Sequence, residues 1–167
     1  MIVYLLKITG VYMHEYVNLS ELIHRGGLYY DVKGSSFQEV YKNLSQLVSL
    51  PKELAPEFFY TELCLREEMM STAVGKGIAI PHPRHPILTE FEEQRIIVCF
   101  LEESLGIETP DLKPVFALFV VLSSNKSTHL NVLSNLAFLF QKQTFVEFLK
   151  TQPQEHELLT EIKKHQM

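Results

Sequence analysis

The sequence predicts a three-layer α/β domain, a central mixed β-sheet flanked by helices. Three observations predict it. Arg95–Leu101 and Val115–Leu122 are continuous apolar runs rich in β-branched and aromatic residues, the pattern of strands covered on both faces. Apolar residues recur at helical spacing in several other segments, and these alternate with the strands along the chain. No internal repeat, linker or low-complexity tract divides the 167 residues, enough to bury one core without disulfides or metals.

Taken in order, residues 1–16 are expected to be an N-terminal extension and residues 17–167 a single domain. The apolar run Ile2–Leu6 breaks at Lys7 and lacks the basic start and the small-residue cleavage site of a signal peptide. No other stretch approaches membrane-spanning length. Asn18-Leu19-Ser20-Glu21 has the form of a capping box, and Leu22 and Ile23 followed by Gly26-Gly27 read as a short helix with a glycine stop. Leu28–Val32 is a strand. Ser36-Phe37-Gln38-Glu39 is a second capping box and opens a second helix, in which Phe37, Val40, Tyr41, Leu44, Leu47 and Val48 recur at helical spacing before Pro51. A third helix follows Pro56 and runs through Phe59, Leu63 and Met70, placing Arg66 and Glu67 in its C-terminal half. Ile78–Ile80 is a short strand that leads into His82. After the two long strands, Ser123–Ser127 is polar and turn-like, with Ser127 the expected N-cap of a helix carrying Leu130, Leu133, Leu136, Ala137 and Phe140. Two short helices, about Thr144–Lys150 and Glu155–Lys164, finish the chain.

Composition narrows the function classes. The formal charge is −5, and Lys and Arg are scattered rather than clustered, which argues against nucleic acid or an anionic membrane as partner. Proteins and small molecules remain. Cys64 and Cys99 lie far apart in apolar stretches without a C-x-x-C pattern, so they read as buried free thiols of a cytoplasmic protein.

The chemistry concentrates in Ser71-Thr72-Ala73-Val74-Gly75-Lys76-Gly77-Ile78-Ala79-Ile80-Pro81-His82-Pro83-Arg84. Pro81 fixes its own φ, and Pro83 pushes His82 out of the α region, so the imidazole is presented from a rigid mount. A lone histidine at a strand end reads as structural, but two flanking prolines and the upstream glycines move His82 to the functional side. Gly75 and Gly77 permit backbone conformations in which main-chain N–H groups meet a small anion, with the hydroxyls of Ser71 and Thr72 nearby. Imidazole beside an anion site suggests phosphoryl chemistry. His129, in Ser127-Thr128-His129-Leu130, follows a long apolar strand at a helix start, where α/β sheets place ligands and helix amides favour anions. Alone it would read as a capping or surface residue. Arg66 would read as a solvated side chain paired with Glu62 or Glu67, yet its planar fork suits phosphate oxygens. His82 and His85 suggest a metal site only weakly, because the intervening proline hinders their convergence and no Cys or carboxylate completes a set. No metal or cofactor is expected.

Arg66-Glu67, then Ser71-Thr72-x-x-Gly75-x-Gly77-Ile78-Ala79-Ile80-Pro81-His82, then Thr128-His129-Leu130 together resemble the enzyme IIA domain of the fructose, mannitol and nitrogen branches of the bacterial phosphotransferase system. The likeness runs from about Leu19 to the C-terminus. It implies that His82 is the phosphorylated residue, that His129 sits beside it, and that Arg66 supports the phosphoryl group or orients the imidazoles. Ser71, Thr72, Gly75, Gly77 and Thr128 are the expected phosphate-supporting positions. It further implies a histidine phosphocarrier protein as donor, and a IIB component or a regulated target protein as acceptor. A regulatory, nitrogen-type role is expected ahead of a sugar-specific one, and a non-phosphorylated interaction module is the rival from another class. Two departures are local: Pro83-Arg84-His85-Pro86 replaces the glycine and basic residue common after the histidine, and Ala73-Val74 stands where Gly-Ile is common. No IIB or IIC segment is evident, so the chain alone is not expected to move sugar across a membrane.

Overall fold

The computed structural model describes residues 17–107 and 109–165; the expected N-terminal extension, residues 1–16, lies outside the described residues. Six helices, α1 (Leu19–Gly26), α2 (Phe37–Leu47), α3 (Pro56–Met69), α4 (Lys126–Gln141), α5 (Gln143–Lys150) and α6 (Glu155–His165), pack about a sheet of five strands, β1 (Leu28–Val32), β2 (Ala73–Gly75), β3 (Ile78–Ala79), β4 (Arg95–Leu105) and β5 (Val115–Leu122). The strand order is β1-β4-β5-β3-β2. β1 runs parallel to β4 and β3 parallel to β5, whereas β4–β5 and β2–β3 are antiparallel, so the sheet is mixed as expected.

The apolar runs are continuous because both faces of the strands are covered. Along β4, Ile96, Val98 and Phe100 enter a core shared with α1, α4, α5 and α6. The intervening Ile97, Cys99 and Leu101 enter a second core under α2 and α3. Alternation of side chains along a strand therefore divides one hydrophobic run between two layers. Each fully buried Leu, Ile, Val or Phe contributes about 1.5–3 kcal/mol through its removal from water. Helix α1 packs against β4 with no space to spare: a Cβ on Gly26 would stand 2.0 Å from the Ile96 carbonyl oxygen.

Local signals set the helix starts, with two corrections. Asn18 caps α1 by accepting from the Glu21 N–H, and Ser36 caps α2 by accepting from the Glu39 N–H. Glu39 does not close a reciprocal box; its carboxylate reaches one residue further back, to the N–H and hydroxyl of Ser35. The cap of α4 is Asn125, whose side chain accepts from the Thr128 N–H, and not Ser127, which is exposed on the first turn. Asn competes well for this position because its carbonyl oxygen reaches the third amide. Strand β4 extends four residues beyond Leu101, through exposed Glu102, Glu103 and Ser104 to buried Leu105, and β2 is a strand that the sequence did not suggest. Both were hidden for the same reason. Their pairing partners, not their own composition, make them strands.

Candidate functional site

His82 follows β3 on the stretch Ile80-Pro81, and this stretch keeps pairing with β5 through a Val121 N–H to Pro81 carbonyl bond of 2.8 Å. The parallel neighbour β5 ends at Leu122, and four residues later α4 begins, with His129 in its first turn. Two adjacent parallel strands thus deliver two histidines at their C-terminal ends. The rings meet edge to face with centroids 5.1 Å apart. Helix α3 brings Arg66 from the other side of the sheet, and its Nε donates to Nε2 of His82 at 3.2 Å.

The two ring nitrogens of His82 are engaged differently. Nδ1 lies 2.7 Å from the carbonyl oxygen of Ile80, an acceptor only, so Nδ1 carries the proton and Nε2 keeps the lone pair. Burial pushes the His82 pKa below its ordinary value; the Ile80 bond opposes this and the Arg66 charge adds to it. The ring is therefore neutral at neutral pH, as a nucleophile must be. For His129, burial, then the repulsion its protonated form would meet from a protonated His82 and from Arg66, push the pKa down to about 4. His129 is therefore neutral at neutral pH, and a 3.0 Å contact joins its Nδ1 to the hydroxyl of Ser123.

Arg66 pairs with neither Glu62 nor Glu67. Its Nη1 donates to the Met70 carbonyl at 2.7 Å, and the guanidinium has no carboxylate partner among the described residues. Glu67 turns the other way: its carboxylate accepts from the Tyr41 hydroxyl at 2.7 Å, from the Thr72 N–H at 2.8 Å and from the Thr72 hydroxyl at 2.7 Å. That cluster ties α2, α3 and the residue before β2 together, immediately beside Arg66. Burial, then the Glu67 charge, push the Tyr41 pKa well above its ordinary value, so it stays a donor.

The remaining candidates divide. Ser71 and Thr72 lie near His82, since β2 runs antiparallel to β3 and Ile80 N–H donates to the Thr72 carbonyl. The Thr72 side chain is spent on Glu67, and the Ser71 hydroxyl accepts from the Ala73 N–H. Thr128 is buried, with its N–H on the Asn125 cap. Gly75 and Gly77 are not brought to His82. They flank Lys76 in the tight turn between β2 and β3, at the other end of β3, and φ of +92° and +80° explains why glycine stands there. The Lys76 N–H already binds the carboxylate of Asp111 at 2.7 Å, and Asp111 also faces Gly75. A carboxylate at that turn repels phosphate. Glycine-rich hairpins and glycine-rich anion loops share a composition, which is how the sequence misled. Arg84 and His85 are exposed beyond Pro83. Sequence reasoning missed Ser123 and the role of Glu67; a polar residue closing an apolar strand six positions before His129 was the available signal for the first.

Residues 21–165 match the family described as "Phosphoenolpyruvate-dependent sugar phosphotransferase system, EIIA 2". The chain is similar to the nitrogen regulatory protein of Pseudomonas aeruginosa, 30% identical over 143 residues that span 82% of this chain and 89% of the relative. It is also similar to the mannitol-specific phosphotransferase enzyme IIA component of Bacillus subtilis, 27% identical over 75% of this chain and 85% of the relative. Among solved structures, the nitrogen regulatory protein IIA-Ntr of Neisseria meningitidis superposes with a TM-score of 0.70 at 28% identity, covering 89% of this chain and 97% of that one.

Proposed function

The chain belongs to the EIIA 2 family of the phosphoenolpyruvate-dependent sugar phosphotransferase system, and from that premise we propose that it carries a phosphoryl group on Nε2 of His82. The observation that carries this reading is the division of labour on that ring: Nδ1 is held by the Ile80 carbonyl, and Nε2 faces Arg66 with its lone pair. In the transfer, that lone pair forms the new N–P bond while the donor's P–N bond breaks and returns its electron pair to the donor nitrogen. Nδ1 keeps its proton throughout. Arg66 then shifts its hydrogen bonds from Nε2 to the phosphoryl oxygens, and charge on those oxygens is met by donors fixed in place beforehand. No metal or cofactor enters these steps.

The donor we assign is the histidine phosphocarrier protein of the same system, and the setting cytoplasmic. No helix among the described residues is long and apolar enough to cross a membrane. Exposed Leu65, Met69 and Met70 flank Arg66 in the chain, and exposed Leu130 follows His129. Apolar side chains around a charged centre suit a protein partner rather than a free small molecule. Similarity to nitrogen regulatory proteins favours a regulatory role. Similarity to a mannitol-specific IIA component supports the second reading, onward transfer to a separate IIB protein.

Incubation with phosphoenolpyruvate, enzyme I and the histidine phosphocarrier should add one acid-labile phosphoryl group, read by intact-mass spectrometry. A wild type that stays unmodified with its cognate donors, or a His82→Ala variant modified equally well, would overturn the assignment. Addition of a IIB protein then decides between the readings, since only a sugar-specific IIA should be discharged by it.

A further inference from the structure

The transfer as described makes no use of Ser123, although this residue is buried and, among the described residues, its hydroxyl's hydrogen-bond partner is a histidine of the site. Its Oγ lies 3.0 Å from Nδ1 of His129, and its own backbone is held separately, the carbonyl accepting from the Leu88 N–H. Two proton arrangements fit that contact. If Nδ1–H donated to the hydroxyl, the hydroxyl proton would need a second acceptor, and none is found for Oγ among the described residues. A buried O–H left unpaired costs about 1–3 kcal/mol. If the hydroxyl donates to Nδ1, both groups are satisfied and the imidazole proton resides on Nε2. The neutral ring, with its pKa near 4, has only one ring proton to place.

We propose that Ser123 is a positioning residue, holding His129 in the tautomer that carries its proton on Nε2, so that the ring meets a phosphoryl group on His82 as a hydrogen-bond donor. The tautomer decides the sign of the interaction. An Nε2–H stabilises negative phosphoryl oxygens, whereas an Nε2 lone pair in the same place repels them. His129 Nε2 makes no hydrogen bond among the described residues, and the edge-to-face stacking at 5.1 Å sets it within reach of the group that His82 would carry. A serine hydroxyl is suited to this task because it donates without charge and adds no electrostatic pull of its own on the phosphate. The inference rests on the proposed role of His82.

The test reads the tautomer first, on the full chain with isotope-labelled histidine and no phosphoryl donor present. Nitrogen chemical shifts at neutral pH should report Nε2–H for His129 in the wild type and a shift toward Nδ1–H in Ser123→Ala. A wild-type ring protonated on Nδ1 overturns the proposal without recourse to any variant. The second arm measures transfer from the phosphorylated carrier: Ser123→Ala should lose about 10-fold or more in maximal rate, as loss of an orienting partner typically does, with the concentration dependence on the donor unchanged. Ser123→Thr, which keeps the hydroxyl, should recover both the tautomer and the rate. An unaltered tautomer in Ser123→Ala, or an altered tautomer with the wild-type rate, overturns it. If the wild type takes no phosphoryl group on His82 at all, the function proposed above falls, and the tautomer measurement still reports on Ser123 separately.

Discussion

Nε of Arg66 donates to Nε2 of His82 across 3.2 Å, so the guanidinium already stands at the nitrogen proposed to carry the phosphoryl group. Its second anchor, the Met70 carbonyl at the C-terminal end of α3, holds the side chain by its far end. The His82 contact joins a cation to a neutral ring nitrogen; when the phosphoryl group arrives, the same guanidinium meets anionic oxygens, and both sides of the contact are then charged. Little reorganisation is needed to reach it.

Arg66→Lys and His129→Ala should therefore slow the transfer without abolishing it. Loss of one preorganised donor at a charge-developing site costs on the order of 100- to 1,000-fold. A lysine brings charge but not the two-pronged geometry, so it should not rescue. Rapid-quench transfer rates on folded proteins measure this, and wild-type rates in both variants would mean the site is drawn wrongly.

Gly75→Ala should separate the turn from the chemistry. A side chain at φ +92° costs roughly 1–3 kcal/mol of backbone strain, and the melting temperature should fall. Transfer rates of the folded fraction should be unchanged, because the turn lies at the opposite end of β3 from His82. A large rate loss at unchanged stability would restore the glycine loop as a phosphate cradle.

Glu67→Ala should destabilise the fold by about 2–3 kcal/mol, since it strands the buried Tyr41 hydroxyl and leaves the Thr72 donors without their acceptor. Urea unfolding reads this directly. Tyr41→Phe removes one donor and leaves the carboxylate two others, so it should cost less. Equal costs would show that the cluster does not act through Glu67.

Stability should fall as the medium is acidified through the histidine range. The folded His129 pKa, about 4, lies below the ordinary value near 6.5, so the unfolded chain takes up its proton first. The contribution is complete above pH 6.5, is lost progressively down to about pH 4, and amounts to about 3 kcal/mol across that window. His82 is shifted in the same direction. In His129→Gln, the difference in unfolding free energy between pH 7 and pH 5 should shrink by roughly 2 kcal/mol; an unchanged difference would mean that His129 titrates normally.

His82 could be singled out as a candidate from its neighbours alone, because Pro81 and Pro83 act on the backbone within one residue and need no tertiary structure. The long strands were equally legible, since burial on both faces leaves an unbroken apolar run. What escaped depends on residues distant in sequence or on competition between neighbours. Asp111 occupies the Lys76 amide from 35 positions away, and only the pairing of β3 with β5 explains why the glycine turn faces away from His82. Glu67 adjoins Arg66 in sequence, yet successive helical residues point about 100° apart, so adjacency suggested a pair that the helix forbids. Ser123 and Asn125 lie in one polar run with Ser127, and nothing local ranks them; the direction in which the chain leaves β5 does.

The hydrogen bond from Val121 to Pro81 carries β3 and β5 side by side past the formal end of β3. The gap between the two histidines is in this way measured out by the spacing of neighbouring strands, about 4.8 Å in any sheet, and not by surface side chains. Rim residues such as Leu65, Met69, Arg84 and Leu130 can then be exchanged, and the clientele of the site altered, while the rings stay at their working separation. The sheet serves as a gauge block, and the rim proposed to meet partners is free to vary around it.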